Sequence, residues 1–147
     1  MPHSYCSNFV HAVFSTKERR PLIKQELQDP LWKYMIGTGK NLGIDVLSVG
    51  GVDNHSHVLL SLPSTMSIAT AIQKIKANSS RWMSNEVPRF EWQQGYHVVS
   101  VCPSQVPRVK RYIANQQEHH KKVTFEEEFL KLLKACGVDY DPKFVFG

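Results

Sequence analysis

Two histidines separated by one residue, His55 and His57, lie within the apolar segment Val52–Pro63 (VDNHSHVLLSLP). Because side chains alternate between the faces of a β-strand, both imidazoles are expected on the same face. The opposite face then enters a core with Ser56, Val58, Leu60 and Leu62. Two imidazoles side by side on a rigid strand supply half of a metal site or half of a phosphate clamp. Taken alone the pattern is weak, since a half-exposed strand can also carry polar residues.

A second group of polar residues lies in Arg108–Lys122 (RVKRYIANQQEHHKK), which the spacing of its apolar residues predicts as a helix. Tyr112, Gln116 and His120 recur every four residues and therefore form one stripe along this helix. If the helix packs over the histidine strand, a phenol and an amide oxygen join the two imidazoles. The alternative is an amphipathic helix whose tyrosine is half buried, with its hydroxyl in water.

The size and composition of the chain narrow the class of protein. Its 147 residues are enough for one domain with a core. No segment is long and apolar enough to span a membrane, and the N-terminal residues lack the layout of a signal peptide. The three cysteines, Cys6, Cys102 and Cys136, are odd in number and widely spaced, which argues against disulfides and against a cysteine metal cluster. We therefore expect a cytoplasmic protein.

The charge of the chain suits a nucleic-acid partner, with a net value of +5 and a pI near 9.2. Basic residues cluster after the first strand, on the middle helix and around the tyrosine. We select as backbone contacts Lys17, Arg19, Arg20, Lys76, Arg108 and Arg111. Acidic residues concentrate instead at Glu126–Glu128, which we place beyond the candidate site.

The elements that must position these residues follow the order strand, helix, hairpin, helix, strand, helix. The predicted elements are a strand over Asn8–Ser15, a helix over Lys24–Leu42 with its regular part starting near Asp29, a hairpin of Ile44–Gly51 and the histidine strand, a helix over Ile68–Glu86, a strand over Glu91–Val101, the tyrosine helix and a helix over Thr124–Ala135. This order predicts an α+β fold of the ferredoxin-like type, β-α-β-β-α-β, with four antiparallel strands. In that fold the third strand is central and adjacent to the first, so the histidines lie on a platform.

Three further expectations concern single side chains. His11, on the first strand, is expected to be packed or hydrogen bonded rather than to act as a ligand. Trp92 is expected in the core, although it and Tyr96 could instead stack on bases. The tail, residues 136–147, carries Tyr140, Phe144 and Phe146, which we expect to dock on a partner or on the same chain.

The pair H-x-H and Y-x-x-x-Q, in this order and at this distance, resembles the single-tyrosine HUH transposases. These are small bacterial insertion-sequence enzymes and their REP-associated relatives. Three further segments are similar to the family, namely HAVFSTKERRPL (11–22), FEWQQGY (90–96) and YIANQQEHH (112–120). The similarity covers nearly the whole chain. One departure is Ser56, which stands where the family has a hydrophobic residue between the two histidines.

This resemblance implies a function and a set of site residues. Tyr112 would cut single-stranded DNA and form a 5′-phosphotyrosine, and His55, His57 and Gln116 would bind Mg²⁺ or Mn²⁺. Ligand chemistry by itself leaves the identity of the metal open. The DNA would carry a subterminal hairpin, and the protein would be a homodimer or, as in some REP-associated relatives, a monomer. We therefore predict a single transposase domain over residues 1–147.

Three alternatives remain open at the level of sequence. The chain could be an inactive module that binds single-stranded nucleic acid, or a metal-dependent phosphodiesterase in which water replaces the tyrosine. The third alternative keeps the metal but replaces Gln116 as a ligand by His119 or His120.

Overall fold

A computed structural model describes residues 5–146 of the chain. Its sheet contains β1 (Phe9–Ser15), β2 (Asp45–Gly51), β3 (His55–Ser61) and β4 (His97–Val101), in the order β2-β3-β1-β4. All pairings are antiparallel, and β3 is central and adjacent to β1. The predicted ferredoxin-like α+β fold is therefore confirmed. The ends of the predicted domain, residues 1–4 and Gly147, lie outside the described residues.

Helices α1 (Gln25–Asn41) and α2 (Ile68–Met83) cover one face of the sheet. The main core lies between them and the strands, and it contains Val10, Ala12, Phe14, Leu31, Met35, Val58, Leu60, Ile72 and Ile75. Ser67 begins α2 as predicted, because its side chain accepts a hydrogen bond from the Thr70 amide. Alternation along β1 and β3 places the apolar residues on this face and leaves the histidines for the other.

The other face of the sheet is covered by α3 (Val106–Ala114), α4 (Gln116–His119) and α5 (Phe125–Ala135). Helix α3 packs across β2 and β3. A side chain at Gly50 would collide with the backbone carbonyl of Ile113, so the glycine permits this close approach. Helix α5 begins at a capping box, in which the Thr124 and Glu127 side chains bond to each other's backbone amides.

Two predicted elements differ from those observed. The fourth strand is His97–Val101 rather than Glu91–Val101, because Gly95, with a φ of 86°, interrupts the pairing with β1. Before this interruption Trp92 still forms an isolated antiparallel bridge with Thr16. The predicted helix Arg108–Lys122 is interrupted at Asn115, which separates α3 from α4. The interruption at Asn115 matters because it lies between Tyr112 and Gln116, two residues of the candidate site.

Two helix boundaries also differ. Helix α1 begins at Gln25, before the expected start near Asp29, and it accommodates Pro30 in its first turns. Helix α2 ends at Met83, three residues earlier than predicted. In residues 5–146, no helix combines the length and the apolar character that crossing a membrane requires.

We expect Gly50→Ala to lower the free energy of unfolding by about 1–3 kcal/mol, since the new methyl group must displace α3 from β2. Urea titration followed by circular dichroism measures this change. The matched control is Gly37→Ala, because Gly37 lies in α1 with open space around it. There the substitution should stabilise the protein by about 0.5–1 kcal/mol. Equal effects of the two substitutions would contradict the close packing of α3.

Candidate active site

The two histidines of β3 face away from the main core, and both are fully buried. In the antiparallel register Ser15 of β1 lies opposite His55 and Val13 lies opposite His57, so these side chains share a face. His11, two residues before Val13, is on this face as well, and its Nε2 lies 2.8 Å from Nδ1 of His57. The expectation that His11 is hydrogen bonded fits this contact.

Helices α3 and α4 bring Tyr112 and Gln116 over the histidine strand. The ring of Tyr112 packs edge-on to that of His57, with 5.5 Å between centroids. Gln116 is buried, and its Oε1 lies 3.0 Å from Nε2 of His55. The four residues predicted from sequence, His55, His57, Tyr112 and Gln116, therefore meet at one place.

A carboxylate from α5 completes this cluster, and sequence reasoning missed it. We expected Glu126–Glu128 to lie beyond the site, and this is wrong for Glu128, whose side chain is buried among the histidines. Its Oε1 lies 3.1 Å from Nε2 of His57, 3.1 Å from Nε2 of His120 and 3.4 Å from Nε2 of His55. The signal in the sequence was a glutamate three residues after Phe125, on the face that α5 buries.

The second carboxylate oxygen of Glu128 faces the tyrosine. Oε2 accepts a hydrogen bond from the Tyr112 hydroxyl and one from Nε2 of Gln116 at 3.0 Å. His119 Nε2 lies 3.2 Å from the same oxygen. One carboxylate therefore connects the histidine cluster to the tyrosine hydroxyl.

The outer nitrogen of each clustered imidazole has its own partner. Nδ1 of His120 donates to the Val123 carbonyl at 2.7 Å, and Nδ1 of His55 is 2.9 Å from Oδ1 of Asn54. Nδ1 of His57 faces His11. A proton on each Nδ1 leaves the Nε2 lone pair directed into the cluster, which is the arrangement of metal-ligating histidines.

The protonation states agree with this arrangement. Burial lowers the pKa of His57 to about 4 despite the nearby Glu128, so its imidazole is neutral at pH 7. Burial would raise the pKa of Glu128, but hydrogen bonds from His120, His55 and His57 outweigh it and hold that pKa far below its usual range. A neutral imidazole and an ionised carboxylate are the forms that bind metal ions. Burial lowers the pKa of His120, but the hydrogen bond to Glu128 and its charge outweigh burial and raise that pKa, so an ion that binds there competes with a proton.

The tyrosine retains its proton in this arrangement. Burial and the adjacent Glu128 carboxylate both raise the pKa of Tyr112 above its ordinary value. At neutral pH the phenol is therefore a hydrogen-bond donor, and it needs an acceptor for its proton when it reacts. Glu128 accepts its hydrogen bond.

The ligand atoms of His55, His57, His120 and Glu128 lie within 4.8 Å of one another, close enough to share one ion. Without an ion, imidazole N–H groups can donate to the Glu128 carboxylate that they face. A cation between them would instead take the Nε2 lone pairs and the carboxylate oxygen as ligands. This donor set fits a divalent metal. Oε1 of Gln116 is also directed at the cluster, 2.9 Å from Nε2 of His120.

An open cleft leads to the tyrosine from the side of α3. It has a volume of about 600 Å³ and is lined by Arg108, Arg111, Tyr112, Ala114, Asn115 and His119. Both arginines are exposed, and Tyr112 is partly exposed to the cleft. Two of the six predicted DNA contacts therefore lie beside the candidate nucleophile.

The other four predicted contacts lie elsewhere. Lys17 and Arg20 are exposed and pair with Glu91 and Glu18 at 2.9 Å each. Arg19 donates to the Phe146 carbonyl at 2.9 Å, which docks the tail on the body of the chain. Lys76 is half buried and donates to main-chain carbonyls of the 93–95 loop.

Comparison with known proteins agrees with this geometry. The family described as "Transposase IS200 like" matches residues 4–116. ISDra2 transposase TnpA of Deinococcus radiodurans is 22% identical over 116 residues, which cover 74% of this chain and 83% of that protein.

Two solved structures share the fold. One is described as a candidate transposase of Deinococcus radiodurans, with a TM-score of 0.63 and 21% identity, covering 79% of this chain and 96% of that one. The other is a REP-associated tyrosine transposase bound to a REP hairpin, with a TM-score of 0.59 and 14% identity, covering 84% of this chain and 74% of that one. Since the family match spans most of the sequence, the chain belongs to the IS200-like transposases, and the resemblance of its motifs is confirmed.

Proposed function

We propose that this protein cuts and rejoins single-stranded DNA through a covalent bond to Tyr112. The observation that carries the proposal is the meeting of the Tyr112 hydroxyl with the buried His55, His57, Gln116 and Glu128. A phosphodiesterase that used water would not need a tyrosine at this position. Membership of the transposase family supports the same reaction class.

His55, His57, His120 and Glu128, with the amide oxygen of Gln116 beside them, would hold Mg²⁺ or Mn²⁺. When bound, the ion would supply positive charge that polarises the scissile phosphate. His11, Asn54 and the Val123 carbonyl would orient the imidazoles. The proposed ligand set thus adds His120 and Glu128 to the three ligands expected from the sequence. The alternative in which His120 is a ligand therefore stays part of the proposal.

In the proposed cleavage, one bond to phosphorus forms and another breaks. The Tyr112 oxygen bonds to phosphorus, the bond from phosphorus to the 3′ oxygen breaks, and the 3′ oxygen leaves as a hydroxyl. The phenol, positioned by its hydrogen bond to Glu128, loses its proton to solvent in the cleft as the bond to phosphorus forms, and the 3′ oxygen takes a proton from solvent. Attack by another 3′-hydroxyl reverses these changes and joins new ends without ATP.

The substrate is proposed to be single-stranded DNA with a subterminal hairpin, as a structural relative is bound to a REP hairpin. Arg108 and Arg111 would bind its phosphates in the cleft beside Tyr112. Since the site residues all belong to one chain, we propose that one protomer suffices for cleavage and that a homodimer, if formed, is not needed to complete the site. The proposed domain includes α5, beyond the family match, because Glu128 belongs to it.

Tyr112→Phe should abolish a covalent protein–DNA adduct, because the nucleophilic oxygen is removed. The assay incubates labelled hairpin-bearing oligonucleotides, taken from DNA flanking the gene, with protein and Mn²⁺ and resolves products on a denaturing gel. Cleavage that persists in Tyr112→Phe would favour the phosphodiesterase. Binding of these oligonucleotides by the wild type without cleavage would favour the inactive module.

Asn54→Ala should weaken Mn²⁺ binding by about 10–100-fold, because the side chain that orients the His55 ring is removed. Isothermal titration calorimetry measures the affinity without requiring activity. The control is Asn85→Ala, whose side chain is exposed after α2. Unchanged affinity in Asn54→Ala would contradict the proposed role of Asn54 in orienting the His55 ring.

Arg108→Ala and Arg111→Ala should each reduce the salt dependence of single-stranded DNA binding. The slope of log K against log salt concentration should fall by about 0.7 for each phosphate that the protein no longer neutralises. Arg81→Ala serves as the control, because Arg81 is exposed on α2, across the sheet from the cleft. Identical slopes in all three variants would show that neither Arg108 nor Arg111 contacts a DNA phosphate.

A further inference from the structure

The segments HAVFSTKERRPL and FEWQQGY supply no group to the metal-binding cluster apart from His11, yet they are joined to each other. The Gln93 amide donates to the Ser15 carbonyl at 2.8 Å, and the Lys17 amide donates to the Glu91 carbonyl at 3.0 Å. Oε1 of Gln93 accepts from the Glu18 amide at 2.8 Å. The two motifs therefore form one structural unit at the edge of the sheet.

The loop after Trp92 is held in a defined shape. Nζ of Lys76 donates to the carbonyls of Gln93 at 2.7 Å and Gly95 at 3.0 Å. Trp92 is buried, as expected, and donates to Oγ of Ser79 at 3.0 Å. These bonds fix the backbone from which Gln94 and Tyr96 project, and both of those side chains are exposed.

This unit forms one wall of a pocket of about 220 Å³. Helix α5 and the tail form the other wall with the rings of Phe125, Phe129, Phe144 and Phe146. Tyr96 is 40% exposed and Phe144 is 71% exposed at this pocket. Polar residues on the lining include Ser15, Arg19, Gln93 and Gln94. Arg19 already donates to the Phe146 carbonyl, and Oε1 of Gln93 already accepts from the Glu18 amide. The pocket thus combines aromatic faces with a few hydrogen-bonding groups.

The pocket adjoins the histidine cluster. Ser15, which lines it, lies opposite His55 in the pairing of β1 with β3. Phe125, which also lines it, stacks on the His55 ring with centroids 4.2 Å apart and planes 22° apart. The pocket and the histidine cluster therefore share the ring of Phe125, which places the pocket beside the proposed cleavage site.

We propose that the pocket binds one unpaired nucleobase of the DNA strand next to the scissile phosphate and selects its identity. Bases in single strands stack on aromatic side chains, and side-chain amides read the edge of a base. The pocket volume suits one heterocycle and excludes a base pair. This inference rests on the proposed function, since it takes the DNA strand from the cleavage site.

The test uses binding, in a Tyr112→Phe background that prevents cleavage. The probe is a pool of single-stranded DNA that carries a hairpin followed by eight randomised nucleotides, and bound molecules are sequenced. We expect a base preference at one position, and Gln94→Ala should remove it there while leaving other positions unchanged. Tyr96→Ala should weaken binding about 10-fold, whereas Tyr96→Phe, which keeps the stacking ring, should not.

The matched control is Gln73→Ala, on the exposed side of α2. The proposal is overturned if Gln94→Ala and Tyr96→Ala both behave like Gln73→Ala. The adduct assay with wild-type protein distinguishes the proposed cleavage by Tyr112 from the proposed base selection by the pocket. If adducts form but the pocket variants do not change base selection or binding, only the proposal of base selection is wrong. If the pocket variants change base selection but no adduct forms, the proposed nucleophilic role of Tyr112 is wrong and the proposal of base selection is supported.

Discussion

The buried carboxylate of Glu128 is the group on which the arrangement of the site depends. A charge removed from water requires partners, and leaving such a charge without them costs about 3–5 kcal/mol. Here the partners come from β3, α3 and α4, so one carboxylate holds together elements distant in sequence. The histidines and Tyr112 are positioned relative to one another through this shared contact. Helix α5 is thereby part of the site and not an appendage to the ferredoxin-like core.

Sequence periodicity predicted the sheet, its helices and the shared face of His55 and His57, because alternation along a strand is a local property. It also placed Tyr112 and Gln116 on one helical stripe. The same reasoning failed for the break at Asn115 and for the late start of the fourth strand at His97. Both depend on contacts from elsewhere, such as the bonds from Lys76 to the loop that precedes β4.

Glu128 could not be placed from sequence because it contacts His57 in β3, which lies more than seventy residues away along the chain. Three consecutive glutamates indicate a solvated surface, and only tertiary packing distinguishes the one that turns inward. Lys76 illustrates a related point, since this basic residue, selected as a DNA contact, also donates to main-chain carbonyls of its own chain. Charge in a sequence indicates a partner of opposite charge but does not say whether that partner is DNA or the protein itself.

The position of Glu128 in the last helix has a consequence for biosynthesis. Translation produces β3, with His55 and His57, well before α5. A growing chain consequently holds an incomplete set of donor atoms until its final helix docks on the sheet. Binding of an ion at this cluster would then be coupled to the docking of α5, and each would favour the other. The full set of donor atoms would therefore assemble only after α5 has been synthesised and has docked on the sheet.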